Sequence, residues 1–379
     1  MLAACLAGRA PAPEAARALA LEAPEAFFRV LVEGLADRFE PALCDVYAAL
    51  MAGAVAAAEP SLGPAELVAR YRRVRRVRPC RVEPAAVFVL SRVTLGADVA
   101  VTSILLDAVK RRFPRAEIRL AGPAKNHELF ACDRRIGHLP AAYPRGSLRE
   151  RIAPWAGLRA ALSRPDAIVV DPDSRLTQLG LLPVCAEENY FFFESRAYGG
   201  VGEEPLTALA RRWAAETFGV EDAAPFVAVP EPEERAAVAV SLGVGENPAK
   251  RIADPFEEEL LRMLGARGGV LWIDRGAGGE EAARVDRAIA RAGLPPERVR
   301  AWEGSFAGFA SLISRAGLYV GYDSAGQHVA AASGVPLVSV FAGFPASRMF
   351  HRWRPAGRVV RVDDPDPARV LRDVARELR

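Results

Sequence analysis

Residues 320–341 read VGYDSAGQHVAAASGVPLVSVF. The pattern is a short strand, a polar turn with a glycine, a helix of small residues and a second apolar strand. The turn puts Asp323, Ser324, Gln327 and His328 at or near the start of the helix. Unpaired backbone N–H groups and the helix dipole favour an anion there. The run AAASG has so little bulk that backbone or ligand can come close, and Gly334 and Pro336 stop the helix. An α/β domain can hold the diphosphate of a nucleotide with such a unit.

Outward from this unit, strands and helices alternate in two blocks. In the first, a strand at 86–90 (AVFVL), the turn SRVTLGAD, a helix from about 99 to 113 closed by Pro114, and the strand EIRLAG form a βαβ start. Strands are predicted at 167–170 and 189–194 and a helix at 205–218, followed by the acidic, Pro-rich linker PEPEER at 230–235. The second block has strands at 238–242, 269–273, 318–320 and 335–341, with helices at 254–264, 280–292, 306–315 and 366–379. The expected fold class is α/β, with two Rossmann-like, doubly wound domains, 84–235 and 236–379, facing a cleft. Ligands in such sheets bind beyond the C-terminal ends of the strands.

Residues 1–83 are rich in Ala, Leu and Glu, with apolar residues at helical spacing such as Phe27, Phe28, Val30, Leu31 and Leu35. Pro41, Pro60, Gly63 and Pro64 divide them into several helices. No catalytic constellation stands out, and the expectation is an all-helical extension acting as a cap or an interaction module. The run YRRVRRVRPCR at 71–81 reads either as a solvated edge or as a contact for anionic lipid or substrate.

Composition narrows the function classes. The 379 residues leave room for two domains and a small third, and a hydrophobic share of 51% is enough for full cores. A net charge of +3 gives no case for nucleic-acid binding. Five scattered cysteines without a CxxC pair fit a reducing compartment and argue against a disulfide framework or a zinc site. MLAAC at the start looks like a lipoprotein box, but no charged or apolar region precedes it. No apolar run approaches the ~20 residues of a membrane-spanning helix. A cytoplasmic protein is expected, with peripheral contact to an anionic membrane or a protein partner through residues 1–83 as an open option.

Three stretches together resemble one family. SRVTLGADVAVTSILLDAVKRRFPRAEIRLAG (91–122), SLGVGENPAKRIADPF (241–256) and VGYDSAGQHVAAASGVP (320–336) resemble, in order and spacing, the signatures of the heptosyltransferase-like glycosyltransferases of family 9. The likeness spans roughly 86–354 and leaves the helical extension outside. It implies a GT-B fold and inverting transfer of a sugar, a heptose by best guess, from a nucleotide-diphosphate sugar such as ADP-heptose. It implies no cofactor and no structural metal. Asp98 would be the general base on the acceptor hydroxyl, Lys250 with Arg251 would meet the donor phosphates, and Asp323, Ser324, Ala325, Gly326, Gln327 and His328 would form the diphosphate site. The chain departs from the pattern at Ala97-Asp98, with the glycine one place early at Gly96. It departs again at Asp323-Ser324-Ala325, with the glycine one place late at Gly326, and at Ile252 and Val101, where the family has Trp and often His.

Each residue also has a plainer reading. Asp98 could cap a helix; as a base it would take the acceptor proton while the bond to the leaving diphosphate breaks. Arg92 and Thr94, with Gly96 in the same loop, could orient acceptor or donor, and Arg92 could equally form a surface ion pair. Lys250 and Arg251 could neutralise the leaving diphosphate or stand in a solvated approach. His328 could simply be packed. Gly304 and Ser305 could line a pocket for the nucleotide base or start a capped helix. Glu194, Arg196 and Tyr198 could face the acceptor or be buried. GVGENPAK lacks the Walker Gly-Lys-Ser/Thr, and GAGGEE lacks the third glycine of a dinucleotide fingerprint. A nicotinamide oxidoreductase is therefore poorly supported. The open alternative is a non-catalytic sensor or scaffold that binds nucleotide sugars. The acceptor, whether glycan, protein or small molecule, is not encoded in any motif.

Overall fold

A computed structural model describes residues 1–245, 247–276 and 278–379, with the side chain of Pro13 also left aside. The predicted loops GVGENPAK and GAGGEE thus each contain one residue outside the described set, Glu246 and Ala277. Two wholly parallel sheets form the frame. The first holds β1 (Ala86–Leu90), β2 (Glu117–Gly122), β3 (Ile136–Pro140), β4 (Ala167–Asp171) and β5 (Tyr190–Phe192), in the order β3-β2-β1-β4-β5. The second holds β6 (Val238–Ser241), β7 (Leu271–Asp274), β8 (Val299–Trp302), β9 (Leu318–Tyr322), β10 (Leu337–Phe341) and β11 (Arg358–Arg361), in the order β11-β10-β9-β6-β7-β8. This is the two-sheet α/β architecture expected from the sequence. The edge strands β3, β8 and β11 were not foreseen.

Strands β1 and β4 are buried along their whole length, as parallel strands covered on both faces must be. Val87, Val89, Ile168 and Val170 meet the helices Ser103–Arg112 and Leu206–Phe218. Phe88, Leu90, Ala167 and Val169 point the other way, into a core built largely by the N-terminal segment. Its helices Pro13–Glu22, Pro41–Ala58 and Pro64–Val74 supply Ala20, Tyr47, Leu50, Met51, Leu67 and Tyr71. The extension is therefore the cap on the second face of the first sheet. Among the described residues, the helix Pro41–Ala58 is long and apolar enough to cross a membrane, contrary to expectation, but most of it is buried against this core.

Polar contacts fasten the cap, and they engage Arg70 and three of the six arginines of the basic run. Arg70 is buried and donates to the carbonyl of Gly180 at 3.0 Å. Arg73 pairs with Glu187 at 2.8 Å. Arg75 reaches Glu194 at 2.8 Å and Asp45 at 3.1 Å. Arg78 donates to the carbonyls of Glu187, Glu188 and Tyr190. Arg73, Arg75 and Arg78 of the run thus pair within their own chain, while Arg72, Arg73 and Arg76 remain exposed, in keeping with the solvated-edge reading.

The chain crosses between the lobes twice. The linker after the helix Leu206–Phe218 runs along the first lobe, where the Phe226 N–H donates to Ser103 at 3.2 Å and the Ala228 N–H to the Leu129 carbonyl at 2.8 Å. Later, the helix Ser347–Trp353 returns to it. Arg352 donates to the carbonyls of Glu204 and Gly200 at 2.8 and 2.9 Å, and Arg348 to that of Phe39 at 3.1 Å. Removing residues 1–83 is expected to bare the apolar face of Phe88, Leu90 and Val169 and to abolish soluble, cooperatively folding protein. A monodisperse 84–379 fragment with an undiminished thermal transition would contradict this.

Candidate active site between the two sheets

The strand order reverses between β1 and β4 in the first sheet and between β6 and β9 in the second. Crevices at the strand ends open at such points. The turn after β1 carries Arg92 to Asp98, and the loop after β6 carries Lys250. The turn after β9 carries Asp323 to His328. Backbone strain gathers nearby: Val93, Asp173 and Phe39 hold φ of 60°, 71° and 53°. Side chains other than glycine rarely adopt such values, and they recur at functional sites.

Asp98 is wholly buried. One carboxylate oxygen accepts from the Arg92 N–H at 2.7 Å and the Thr102 hydroxyl at 2.6 Å. The other accepts from the Ser91 hydroxyl at 2.5 Å and the Asn126 amide at 2.6 Å. Burial raises its pKa, and these four hydrogen bonds pull it back. In this closed arrangement the carboxylate ties β1 to the helix that follows, and no lone pair is left for an acceptor. Thr94, by contrast, is exposed beside it.

In the second lobe, Lys250 Nζ meets the Asp323 carboxylate at 2.7 Å and its backbone carbonyl at 3.1 Å. Gln327 donates to the other oxygen of Asp323, accepts from Ser339 at 2.5 Å, and sits 3.2 Å from Nε2 of His328. Burial pushes His328 down to about 4, so the ring is neutral at pH 7. The helix Ala325–Ala332 starts at Ser324 without a side-chain cap, and Ser324 and Ala325 are only half-buried. Its first N–H groups remain available to an anion.

The two displaced glycines mark close approaches. A Cβ on Gly96 would lie 3.1 Å from both Ala325 Cα and His328 Cδ2, so this is where the lobes touch. A Cβ on Gly326 would strike the Tyr319 hydroxyl at 2.4 Å. Trp353 stands at the same junction, with ring centroids 5.9 Å from His328 and the Arg92 guanidinium 5.6 Å from its ring centre. Arg92 also donates to Ser195 at 2.9 Å and to the Pro172 carbonyl.

Lys250, Asp323, Ser324, Ala325, Gly326, Gln327 and His328 thus share one site, facing Gly96 and Arg92. Arg251 stands apart, paired with Asp254 and, at 3.4 Å, with Glu257. Gly304 lines a separate cavity of about 480 Å³ with Arg275, Asp286 and Trp302 at the ends of β7 and β8. Ser305 caps its helix by accepting from the Gly308 N–H at 3.2 Å. Glu194 is held by Arg75, and Arg196 by Asp173 at 3.0 Å, while Tyr198 packs on Phe193. Glu194 and Arg196 brace the cap, while Tyr198 belongs to the core on the opposite face of the sheet. Sequence reasoning missed Trp353, Asp173 and the segment around Phe39, none of which lies in a recognisable motif.

Two parallel Rossmann-like sheets with a crevice at their strand ends define the GT-B fold class. Within this fold, residues 231–366 match the model of glycosyltransferase family 9 (heptosyltransferase). No curated protein sequence matches the chain significantly. Among solved structures, E. coli heptosyltransferase WaaC with ADP-2-deoxy-2-fluoro heptose is 15% identical, with a TM-score of 0.57 over 78% of this chain and 100% of that one. E. coli ADP-heptose LPS heptosyltransferase II is 21% identical, with a TM-score of 0.53 over 77% and 98%. A family 9 glycosyltransferase from Veillonella parvula is 13% identical, with a TM-score of 0.57 over 78% and 91%. These likenesses concern the fold.

Two outcomes follow from the geometry. Asp98→Asn replaces an acceptor that holds four donors and is expected to cost about 1–3 kcal/mol in denaturant unfolding. An unchanged midpoint together with abolished turnover would instead mark Asp98 as the base. For His328, the folded value lies below the unfolded 6.5, so the unfolded chain binds the extra proton. Its contribution is present above pH 6.5 and is lost as pH falls toward 4, by at most about 3 kcal/mol. His328→Gln should therefore gain stability relative to the parent on acidification through that window. Parallel unfolding curves at pH 7.5, 5.5 and 4.5 check this.

Proposed function

We propose that the protein is an inverting, metal-independent glycosyltransferase that moves a sugar from a nucleotide-diphosphate donor to an acceptor hydroxyl. ADP-heptose is the best single donor. The observation that carries the reading is the convergence of Lys250 and the uncapped N-terminus of the helix Ala325–Ala332 in one crevice, opposite the Gly96 turn. A diphosphate there would accept backbone N–H bonds and take Lys250 from Asp323. Lys250, with Arg92 across the crevice, would offset the charge that builds on the leaving group. The acceptor oxygen attacks the anomeric carbon from the first lobe, the C–O bond to the diphosphate breaks with its electron pair leaving on phosphate, and a carboxylate takes the acceptor proton. The names of the solved relatives, with ADP, ADP-2-deoxy-2-fluoro heptose and ADP-heptose, support this choice of donor. A cytoplasmic location, where nucleotide sugars are made, fits the reading.

Titration with ADP-, UDP-, GDP- and dTDP-sugars should give saturable binding for one nucleotide. Lys250→Ala should weaken that binding at least ~10-fold by removing a charge-assisted contact, and a chelator should leave turnover unchanged. Equal binding of all four, or no effect at Lys250, would overturn the donor site. The sealed carboxylate of Asp98 favours a second reading, a nucleotide-sugar sensor. Tight donor binding without product from any acceptor extract would select it.

A further inference from the structure

The extension does more than cover a sheet. Its short helix Glu33–Ala36 ends at Asp37, whose N–H donates to the Glu33 carbonyl at 2.9 Å. Two residues on, Phe39 turns through its positive φ and buries its ring 6.3 Å from that of Trp353, while Arg348 donates to the Phe39 carbonyl. The segment is thus pinned between the lobes at the residue that also touches His328 and Arg92. Glu33 in turn pairs with Arg175 of the loop after β4 at 3.7 Å.

Asp37 therefore lies among the charged groups of the crevice. The charges that act on it are those of Arg175, Glu33, Lys250 and Arg92. Among the described residues its carboxylate forms no hydrogen bond or ion pair, and it is half-buried where Asp98 is sealed. It feels both the donor-side Lys250 and the acceptor-side Arg92.

We propose that Asp37, contributed by the helical extension, is the catalytic carboxylate that takes the proton from the acceptor hydroxyl. This rests on the glycosyltransferase reading of the same crevice. As the acceptor O–H gives its proton to Asp37, the oxygen bonds to the anomeric carbon and the nucleoside diphosphate departs with the electron pair toward Lys250 and Arg92. Burial pushes the carboxyl up to about 6, mostly against the pull of the surrounding cations. A base of that strength is largely ionised at neutral pH yet able to accept a proton.

The test uses the full chain with the donor and acceptor on which the parent turns over. Asp37→Asn should lower kcat at least ~10²-fold with an unchanged thermal midpoint, and Asp37→Glu should recover part of the loss. The acid limb of kcat/KM, with a midpoint near 6 in the parent, should vanish from the residual activity of Asp37→Asn and persist in Asp98→Asn. Independently, Asp37→Asn should bind the cognate nucleoside diphosphate several-fold more tightly at pH 8, because a negative charge near Lys250 and Arg92 has gone. Turnover within ~3-fold of the parent, an acid limb that survives in Asp37→Asn, or an unchanged nucleotide affinity would overturn the assignment and leave the glycosyltransferase reading intact. A parent that binds donor but transfers to nothing would defeat that reading, and this one with it.

Discussion

A parallel sheet has two faces to hide from water, and in this protein the second face of the first sheet is hidden largely by residues that precede it in the chain. Phe88, Leu90 and Val169 have helices Pro41–Ala58 and Pro64–Val74 against them. Removing large apolar side chains from water contributes roughly 1.5–3 kcal/mol each, so this layer is integral to the lobe. It is also oriented by charge. Arg196, buried among Asp173, Tyr71 and the Tyr47 ring, links the loop after β4 to two helices of the extension. A buried cation with that many partners tolerates few other arrangements. The loop after β4 and the extension are therefore placed together, and the crevice inherits its geometry from both.

Electrostatics in the crevice follow from where water is excluded. His328 is held neutral, Asp98 is fully ligated by its own loop, and Lys250 rests on Asp323. Each group has a partner in the closed arrangement that an incoming diphosphate or acceptor would have to replace. The ion pair between Lys250 and Asp323 keeps the cation ordered, so less side-chain freedom would be lost if a phosphate took the place of the carboxylate.

Much of this was legible in the sequence, for identifiable reasons. The strands in the middle of each sheet are continuous apolar runs, such as AVFVL and LVSVF, and they stood out. The unforeseen ones, β3, β8 and β11, read IGHLP, VRAW and RVVR. They are half-exposed edges whose polar residues blur the pattern. The turn and helix after β9 were legible because a polar turn and a run of small residues are local signals. Arg251 was misread because adjacency in sequence does not fix direction: Lys250 turns to Asp323 while its neighbour turns to Glu257. Asp98 was found, but the four donors around it come from Ser91, Arg92, Thr102 and Asn126, the last of them 28 positions away, and no spacing rule announces them. Trp353 and Phe39 meet only because the chain folds back over more than three hundred residues.

The two crossings between the lobes set the mechanics of the molecule. The extended linker along Ser103 and Leu129 and the returning helix Ser347–Trp353 are separate tethers. Two tethers leave a pair of rigid bodies one easy rotation, about the line joining them, and suppress sliding and twist. On the glycosyltransferase reading, a sugar entering between Gly96 and Ala325 would part the lobes by a jaw-like swing, with the indole of Trp353, beside one tether, as its fulcrum.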